Sequence, residues 1–340
     1  MSVKLKANLE FFPRETLTRT PTPLDKLEHL SKHLGMQLWL KRDDLTDLAM
    51  GGDKPRKLEY ELAQARLQDA DVIVTCGSAQ SNHARLTSAA ARKLGFDCCV
   101  VLSSDGNTAF QGNLLLTKLM GSEVHLSELK DHWALNEVVE ELMASLKAQG
   151  RKPYFIPVSG TTPHSCLGYV RAGFELAMQL RENKLSPDAL YLPFGTGGIF
   201  SALLLSLRSE GFDFPLIGIS VNQKKAVCIE QLEYWWEKLS ELLEQNPKAP
   251  KGAFELYDSF VGQAYGDATT ACLDAVSLMA RKEGILLDPV YSGKVFAGLL
   301  AQQTAKQFSN QSQVLMLHSG GSPALFAYHK ELEKHFGSTF

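Results

Sequence analysis

The sequence has little of what would mark a membrane, secreted, nucleic-acid-binding or metal-clustered protein. No apolar run approaches the ~20 residues that a bilayer-spanning helix needs; Ser201-Ala-Leu-Leu-Leu-Ser-Leu207 is among the longest. The opening segment, Met1-Ser-Val-Lys-Leu-Lys-Ala-Asn-Leu-Glu10, carries no apolar stretch before its first acid, so no secretory leader is expected. Positive charge is not in excess. The chain has 35 Lys and Arg against 38 Asp and Glu, a net charge of −3. No basic field is available for nucleic acid or an anionic membrane. Cysteine is sparse: Cys76, Cys98, Cys99, Cys166, Cys228 and Cys272. None forms a CxxC pair and no histidine lies at ligand spacing from one, so no metal site is expected. All six read as small core residues, with vicinal Cys98-Cys99 inside the apolar run Asp97–Leu102. A Walker A loop is also missing, and so is a complete dinucleotide fingerprint. A cytoplasmic, soluble protein is the default expectation.

What is present is core material and alternation. Of 340 residues, 44% are hydrophobic and 21% charged, enough for two domains or one large one. From about residue 70, short β-branched runs alternate with helical patterns. Strands are expected at 71–75, 98–102, 124–126 and 154–158, with helices at 82–94, 112–119 and 135–148 between them. A second series follows: a helix at 167–180, a strand at 189–192, a helix from 198, and a strand at 215–220. Helices at 224–244, 269–283 and 293–308, a strand at 313–317 and a helix at 323–332 complete it. Such alternation predicts parallel sheets with helices on both faces. The Pro/Gly/Ser/Thr-rich stretch at 157–166 reads as a domain seam, 43–53 as a second crossing, and 245–252 as a surface loop.

Three loops stand where a strand hands over to a helix, the place where parallel sheets bind ligands. Gly77-Ser-Ala-Gln-Ser-Asn-His83 offers backbone N–H groups at a helix start and more polar side chains than a cap requires. Pro193-Phe-Gly-Thr-Gly-Gly198 suits a phosphate, although glycines also serve plain turns. His318-Ser-Gly-Gly321 offers a hydroxyl and a close backbone, and a simple turn explains it almost as well. Met50-Gly-Gly-Asp-Lys-Pro-Arg-Lys57 presents Lys54 at a helix start; the alternative is a solvated basic run. A lysine near a phosphate cradle, with polar donors and no metal ligands, points to pyridoxal 5'-phosphate.

Four motifs in order then become recognisable: Gly51-Gly-Asp-Lys-Pro-Arg-Lys-Leu-Glu59, Gln80-Ser-Asn-His83, Asp288-Pro-Val-Tyr-Ser-Gly-Lys294 and His318-Ser-Gly-Gly321. Together they resemble the D-cysteine desulfhydrase / 1-aminocyclopropane-1-carboxylate deaminase family, over nearly the whole chain from Thr20 to Tyr328. The resemblance implies an α/β chain of two parallel-sheet three-layer domains, the tryptophan-synthase-β-like fold type II. A larger cofactor-binding domain would comprise residues 1–47 and 161–340, and a smaller one residues 48–160. It further implies Lys54 as the Schiff-base lysine, and Ser81 as a substrate-contacting group that assists proton transfer. Asn82 would partner the cofactor 3′-oxygen, and Gly195, Thr196, Gly197 and Gly198 would hold its phosphate. Ser319 would face the pyridine nitrogen, and Tyr291 would stand beside the ring as a catalytic group. Substrate contacts would come from Ser81, Asn82, His83, Tyr265 and Tyr291, in a homodimer acting on a small amino acid.

The leading expectation is a lyase that converts D-cysteine to pyruvate, sulfide and ammonia. L-Cysteate sulfo-lyase and 1-aminocyclopropane-1-carboxylate deaminase are the alternatives. Deaminases of that kind carry glutamate directly after the tyrosine, where this chain has Ser292. Asp53 stands where asparagine is usual, and a carboxylate there would raise the pKa of Lys54 by Coulomb attraction. Ile199 replaces a common hydroxyl at the end of the phosphate loop. A non-catalytic binding protein and a nicotinamide-dependent dehydrogenase are the readings from other classes.

Overall fold

The computed structural model describes residues 2–104, 108–245 and 254–337. Its strands in chain order are β1 (Leu24–Lys26), β2 (Gln37–Arg42), β3 (Val72–Ser78), β4 (Asp97–Ser103) and β5 (Glu123–Leu126), then β6 (Pro153–Ile156), β7 (Ala189–Phe194), β8 (Leu216–Ser220), β9 (Phe254–Tyr257) and β10 (Gln313–His318). They form a six-stranded sheet in the order β1-β2-β10-β7-β8-β9 and a four-stranded sheet in the order β5-β4-β3-β6. All described pairings are parallel except β1 with β2, an antiparallel edge that the alternation did not reveal. The central strands β3, β7, β8 and β10 are buried almost end to end. Helices cover them on both faces, as continuous apolar strands require.

Several helix boundaries follow from capping. The helix Asn82–Leu94 starts at Ser81, whose Oγ accepts the Ala84 N–H at 3.1 Å. It stops at Gly95 in the left-handed region. The helix Pro163–Glu182 opens with a capping box between Thr162 and Ser165 and a proline in its first turn. One expected helix is instead two, Ala324–Ala327 and His329–Phe336, divided at Tyr328. Strand β6 ends at Ile156, because Pro157 cannot donate to the ladder. Most of the expected loop at 245–252 lies outside the described residues.

The helix Lys54–Leu67 departs most from expectation. Its sequence is rich in charge, yet Lys54, Arg56, Lys57, Glu59 and Glu61 are all buried, so the solvated-run alternative does not hold. Lys54 pairs with its neighbour Asp53, and the other four have distant partners. Arg56 bonds Asp43 and Glu175, with Nη2 at 2.9 Å from an oxygen of each. Glu59 accepts the backbone N–H groups of Leu17 and Thr18. Lys41 and Thr22 complete the network around Glu175. Burial would raise the Asp43 carboxyl pKa, but Arg56 and Lys41 beside it hold it below the ordinary value.

Two glycine pairs press the start of this helix against the loop after β10. Gly51 and Gly52 have φ of +63° and +130°, and a Cβ on Gly51 would stand 1.8 Å from the Asp44 carbonyl oxygen. A Cβ on Gly320 would meet Gly52 Cα at 2.5 Å. Only bare backbone allows this approach, and it brings Lys54 and Ser319 to one place.

Candidate active site

A cleft of about 880 Å³, counting space open to solvent, lies at the C-terminal ends of the strands. Its walls include Lys54, Ser81, Asn82, His83, Gly195, Thr196, Gly197, Tyr265, Tyr291 and Ser319, so these expected site residues do converge. Gly198 stands just behind the wall as the first residue of the helix Gly198–Ser209.

Lys54 is 9% exposed, and its Nζ lies 2.6 Å from Asp53 Oδ2 and 5.9 Å from the centroid of the Tyr291 ring. The Asp53 carboxylate therefore does pair with Lys54. Tyr291 and Tyr265 join hydroxyl to hydroxyl at 2.6 Å. Burial, then the neighbouring Tyr265, pushes the Tyr291 phenol well above its ordinary pKa, so it stays protonated. The turn carrying Tyr291 is fixed by Asp288, whose carboxylate accepts the backbone N–H groups of Val290, Tyr291 and Ser292.

The glycine loop forms the cradle. A Cβ on Gly195 would meet nothing within 4 Å, so this backbone faces open cleft, whereas one on Gly197 would meet Phe194 and Trp235 at 3.0 and 3.3 Å. The helix Gly198–Ser209 begins at this loop and points its N-terminus, the positive end of its dipole, toward it. Trp235 Nε1 donates to the Thr196 carbonyl at 2.7 Å. Behind the loop Lys57, 2% exposed, donates to the Ser159 carbonyl at 3.0 Å and to Thr161 Oγ1 at 2.7 Å. Thr161 Oγ1 is in turn 2.8 Å from Thr196 Oγ1. Burial, then repulsion from Lys54, lowers Lys57 to about 8. Sequence reading passed over Lys57 as an ordinary basic residue. The available signal was its i,i+3 spacing from Lys54, which puts both on one helix face.

The opposite wall is polar. Asn82 Oδ1 accepts from Asn113 Nδ2 at 2.9 Å. His83 is pushed well below its ordinary pKa by burial and then by Lys54 and Lys57, so its imidazole is neutral. Thr75 gives its hydroxyl proton to the Ile156 carbonyl, so His83 Nε2–H must donate to Thr75 Oγ1, at 2.8 Å. Ser292 is fully buried, with Oγ 3.1 Å from His318 Nδ1 and 3.5 Å from Ser319 Oγ. His132 and Trp133, unmarked by any motif, add aromatic wall, with the His132 ring 5.2 Å from that of Tyr265. The Asn222 amide oxygen is buried in the wall without a hydrogen-bond partner.

A buried lysine, a bare glycine loop at a helix start, a second buried ammonium behind it and an orphaned amide fit pyridoxal 5'-phosphate. The loop and Lys57 suit its phosphate, and Lys54 suits its aldehyde carbon. Two mainly parallel sheets around such a site define a fold type II pyridoxal-phosphate enzyme. The profile of the family described as "Pyridoxal-phosphate dependent enzyme" matches residues 15–320, and the chain belongs to that family. A protein of Klebsiella pneumoniae (strain 342) named D-cysteine desulfhydrase is 39% identical, covering 96% of this chain and 99% of its own length. A Pyrococcus abyssi protein named provisionally for 1-aminocyclopropane-1-carboxylate deaminase is 38% identical, covering 98% of both chains. The crystal structure of an ACC deaminase homologue superposes with a TM-score of 0.90 at 37% identity, covering 98% of this chain and all of that one. A fungal L-serine ammonia-lyase from Rhizomucor miehei, at 20% identity and a TM-score of 0.69, shares the fold. The protein is thus a pyridoxal-phosphate-dependent lyase. Among the described residues no helix is long and apolar enough to cross a membrane.

Proposed function

We propose that this lyase eliminates the β-substituent of D-cysteine, giving pyruvate, sulfide and ammonia. The observation that carries the reading is Ser292. Its hydroxyl lies 3.5 Å from Ser319 Oγ, in the group expected at the pyridine nitrogen, and a neutral hydrogen-bonded hydroxyl stands there instead of a carboxylate. The adjoining His318 is lowered by burial, so that side of the site carries no imidazolium charge. Sulfide leaves readily once the Cα carbanion forms. Opening an unactivated cyclopropane asks for more acid–base help, which the Ser292–Ser319 pair does not supply. The relatives named D-cysteine desulfhydrase support the same reading.

When bound, the cofactor withdraws electrons from the substrate Cα. Lys54 would hold it covalently, then as free amine move the Cα proton, with Asp53 steadying the ammonium. Ser81 would donate its hydroxyl proton toward the substrate while its oxygen caps the helix. Asn82, braced by Asn113, would fix the cofactor 3′-oxygen, and Gly195–Gly198 with Lys57 its phosphate. Tyr291 and Tyr265 would share one proton donor beside the leaving group, and neutral His83 would line the substrate side. We place Lys54 and Ser81 in a smaller unit of residues 48–160, packed against a larger unit of 1–47 and 161–340. Exposed Phe110, Leu119 and Phe326, on neighbouring segments, support a homodimer, and the absence of a spanning helix among the described residues agrees with a cytoplasmic enzyme.

The test is a substrate panel on one cofactor-saturated preparation: D-cysteine, L-cysteine, L-cysteate and 1-aminocyclopropane-1-carboxylate, with keto acid and released sulfur measured. Sulfide and pyruvate are expected from D-cysteine, little 2-oxobutanoate from the cyclopropane, and no turnover by Lys54→Ala. Turnover of the cyclopropane at a comparable rate would defeat the Ser292 argument. Sulfite and pyruvate from L-cysteate alone would keep the lyase chemistry and remove the substrate.

A further inference from the structure

Away from the cleft, the edge of the four-stranded sheet brings Cys99 of β4 beside Glu123 and His125 of β5. In the parallel pairing of β4 with β5, Cys99 lies opposite Glu123 and Val101 opposite His125. Residues two apart on a strand share a face, so Cys99, Glu123 and His125 all project from one side of the sheet. That is the side where Cys99 packs with Val72, Val74 and Val101. The Cys99 thiol lies 3.7 Å from Glu123 Oε2, and His125 Nε2 lies 2.9 Å from Glu123 Oε1. The thiol sulfur, imidazole nitrogen and carboxylate oxygen all fall within 4.8 Å of one another. Two ligands of one tetrahedral zinc ion stand on the order of 3.5 Å apart, from Zn–S of about 2.3 Å and Zn–N of about 2.0 Å. Only small side-chain adjustment separates this cluster from that geometry.

A further feature distinguishes the cluster from an incidental ion pair. His125 Nε2 is shut off from solvent and, for all its proximity to Glu123, has no hydrogen-bond partner, so the pair is out of line for a shared proton. Access exists, since the Glu123 and His125 side chains are 64% and 38% exposed at the sheet edge.

We propose that Cys99, Glu123 and His125 form a binding site for a borderline-soft divalent cation of the Zn²⁺ class. A mixed thiolate, imidazole and carboxylate set suits zinc rather than magnesium or calcium. Three protein ligands leave the fourth position to water. Binding releases the Cys99 proton to solvent and leaves the other two ligands as neutral imidazole and carboxylate. The ion would pin edge strand β5 to β4, upstream of the segment that carries His132 and Trp133 into the cleft wall.

The test uses tag-free holoenzyme dialysed against micromolar Zn²⁺, with metal and cofactor measured on the same sample. One zinc per chain is expected in the wild type, lost in Cys99→Ala and in His125→Gln, with cofactor content and turnover unchanged. Cobalt(II) in place of zinc should give a thiolate-to-metal charge-transfer band in the wild type, absent from the difference spectrum of Cys99→Ala. His125→Gln changes a half-exposed residue and keeps the test open should Cys99→Ala fold poorly. Folded wild type that retains no zinc, or variants that retain as much as wild type, would overturn the proposal.

Discussion

Ser81 carries two roles that a pair of substitutions can pull apart. Its Oγ accepts the Ala84 N–H at 3.1 Å as the cap of the helix Asn82–Leu94, and it also lines the cleft. Accepting that bond occupies a lone pair and leaves the hydroxyl proton available. Losing a cap costs about 1 kcal/mol, which lowers the melting temperature of a large domain by about 2–4 °C. Losing a proton-transfer group costs about 10²–10⁴ in rate, or about 2.7–5.4 kcal/mol of barrier. Ser81→Ala should therefore lower turnover far more than stability. Ser81→Asn makes the separation cleaner, because asparagine caps as well as serine but has no hydroxyl. It should keep the melting temperature and lose the turnover, while Ser81→Thr keeps much of both. The assay is pyruvate release at saturating cofactor and substrate, beside thermal unfolding of the same samples. Near-normal turnover by Ser81→Asn would reduce Ser81 to a cap and refute the reasoning.

Two further predictions concern the phosphate end. Gly195→Val should leave the fold intact, since a Cβ there meets nothing within 4 Å, yet weaken cofactor binding by at least about tenfold, or about 1.4 kcal/mol. Gly197 is the wrong position for this test, because its φ of +86° and its contacts with Phe194 and Trp235 would strain the backbone itself; unchanged cofactor affinity in Gly195→Val would move the phosphate elsewhere. Lys57, lowered to about 8, is an ammonium below that pH and neutral above it, so the apoenzyme's affinity for a phosphate ester should fall as pH rises through that value. Pyridoxine 5′-phosphate, which has no aldehyde to react with Lys54, is the probe; calorimetry should show the decline in wild type and a flat profile in Lys57→Met, and a flat wild-type profile would remove Lys57 from the phosphate site.

How much of this was legible in the sequence follows from what the forces are. The helices Asn82–Leu94 and Gly112–Leu119 were readable to the residue, because caps and apolar periodicity are local. The strands β3, β4, β7, β8 and β10 were readable as buried apolar runs bounded by polar loops. The motif residues after β3, β7 and β10 converge because each ends a parallel strand or starts the helix after it, whereas Tyr291 lies on a turn between the helices Thr270–Glu283 and Ser292–Thr304 that Asp288 fixes. The helix Lys54–Leu67 was illegible for the opposite reason. Its charges argue for solvent, and only tertiary partners such as Asp43 and Glu175 around Arg56 overrule them. Burying such a network costs several kcal/mol per ion before pairing offsets it, so stability alone is a poor reason to keep it.

A different consequence gives that network a purpose. Arg56 and Lys57 follow Lys54 by two and three residues, and each is anchored to a different element. Arg56 is held by Asp43, just after β2, and by Glu175 in the helix Pro163–Glu182. Lys57 is held by Ser159 and Thr161, beside the glycine loop. Gly51 and Gly52 fix the other flank against Gly320. The reactive amine is thus located from three directions by groups that cannot shift without exposing a charge or overlapping backbone. An apolar helix at the same position could slide or rotate at little cost, and Lys54 would lose its alignment with the glycine loop. Cross-strand register made Cys99, Glu123 and His125 invisible in the same way, since spacing along the chain records only neighbours in sequence. The local code therefore discloses where a ligand can bind, while the long-range pairing of buried charge decides how rigidly the reacting group is held.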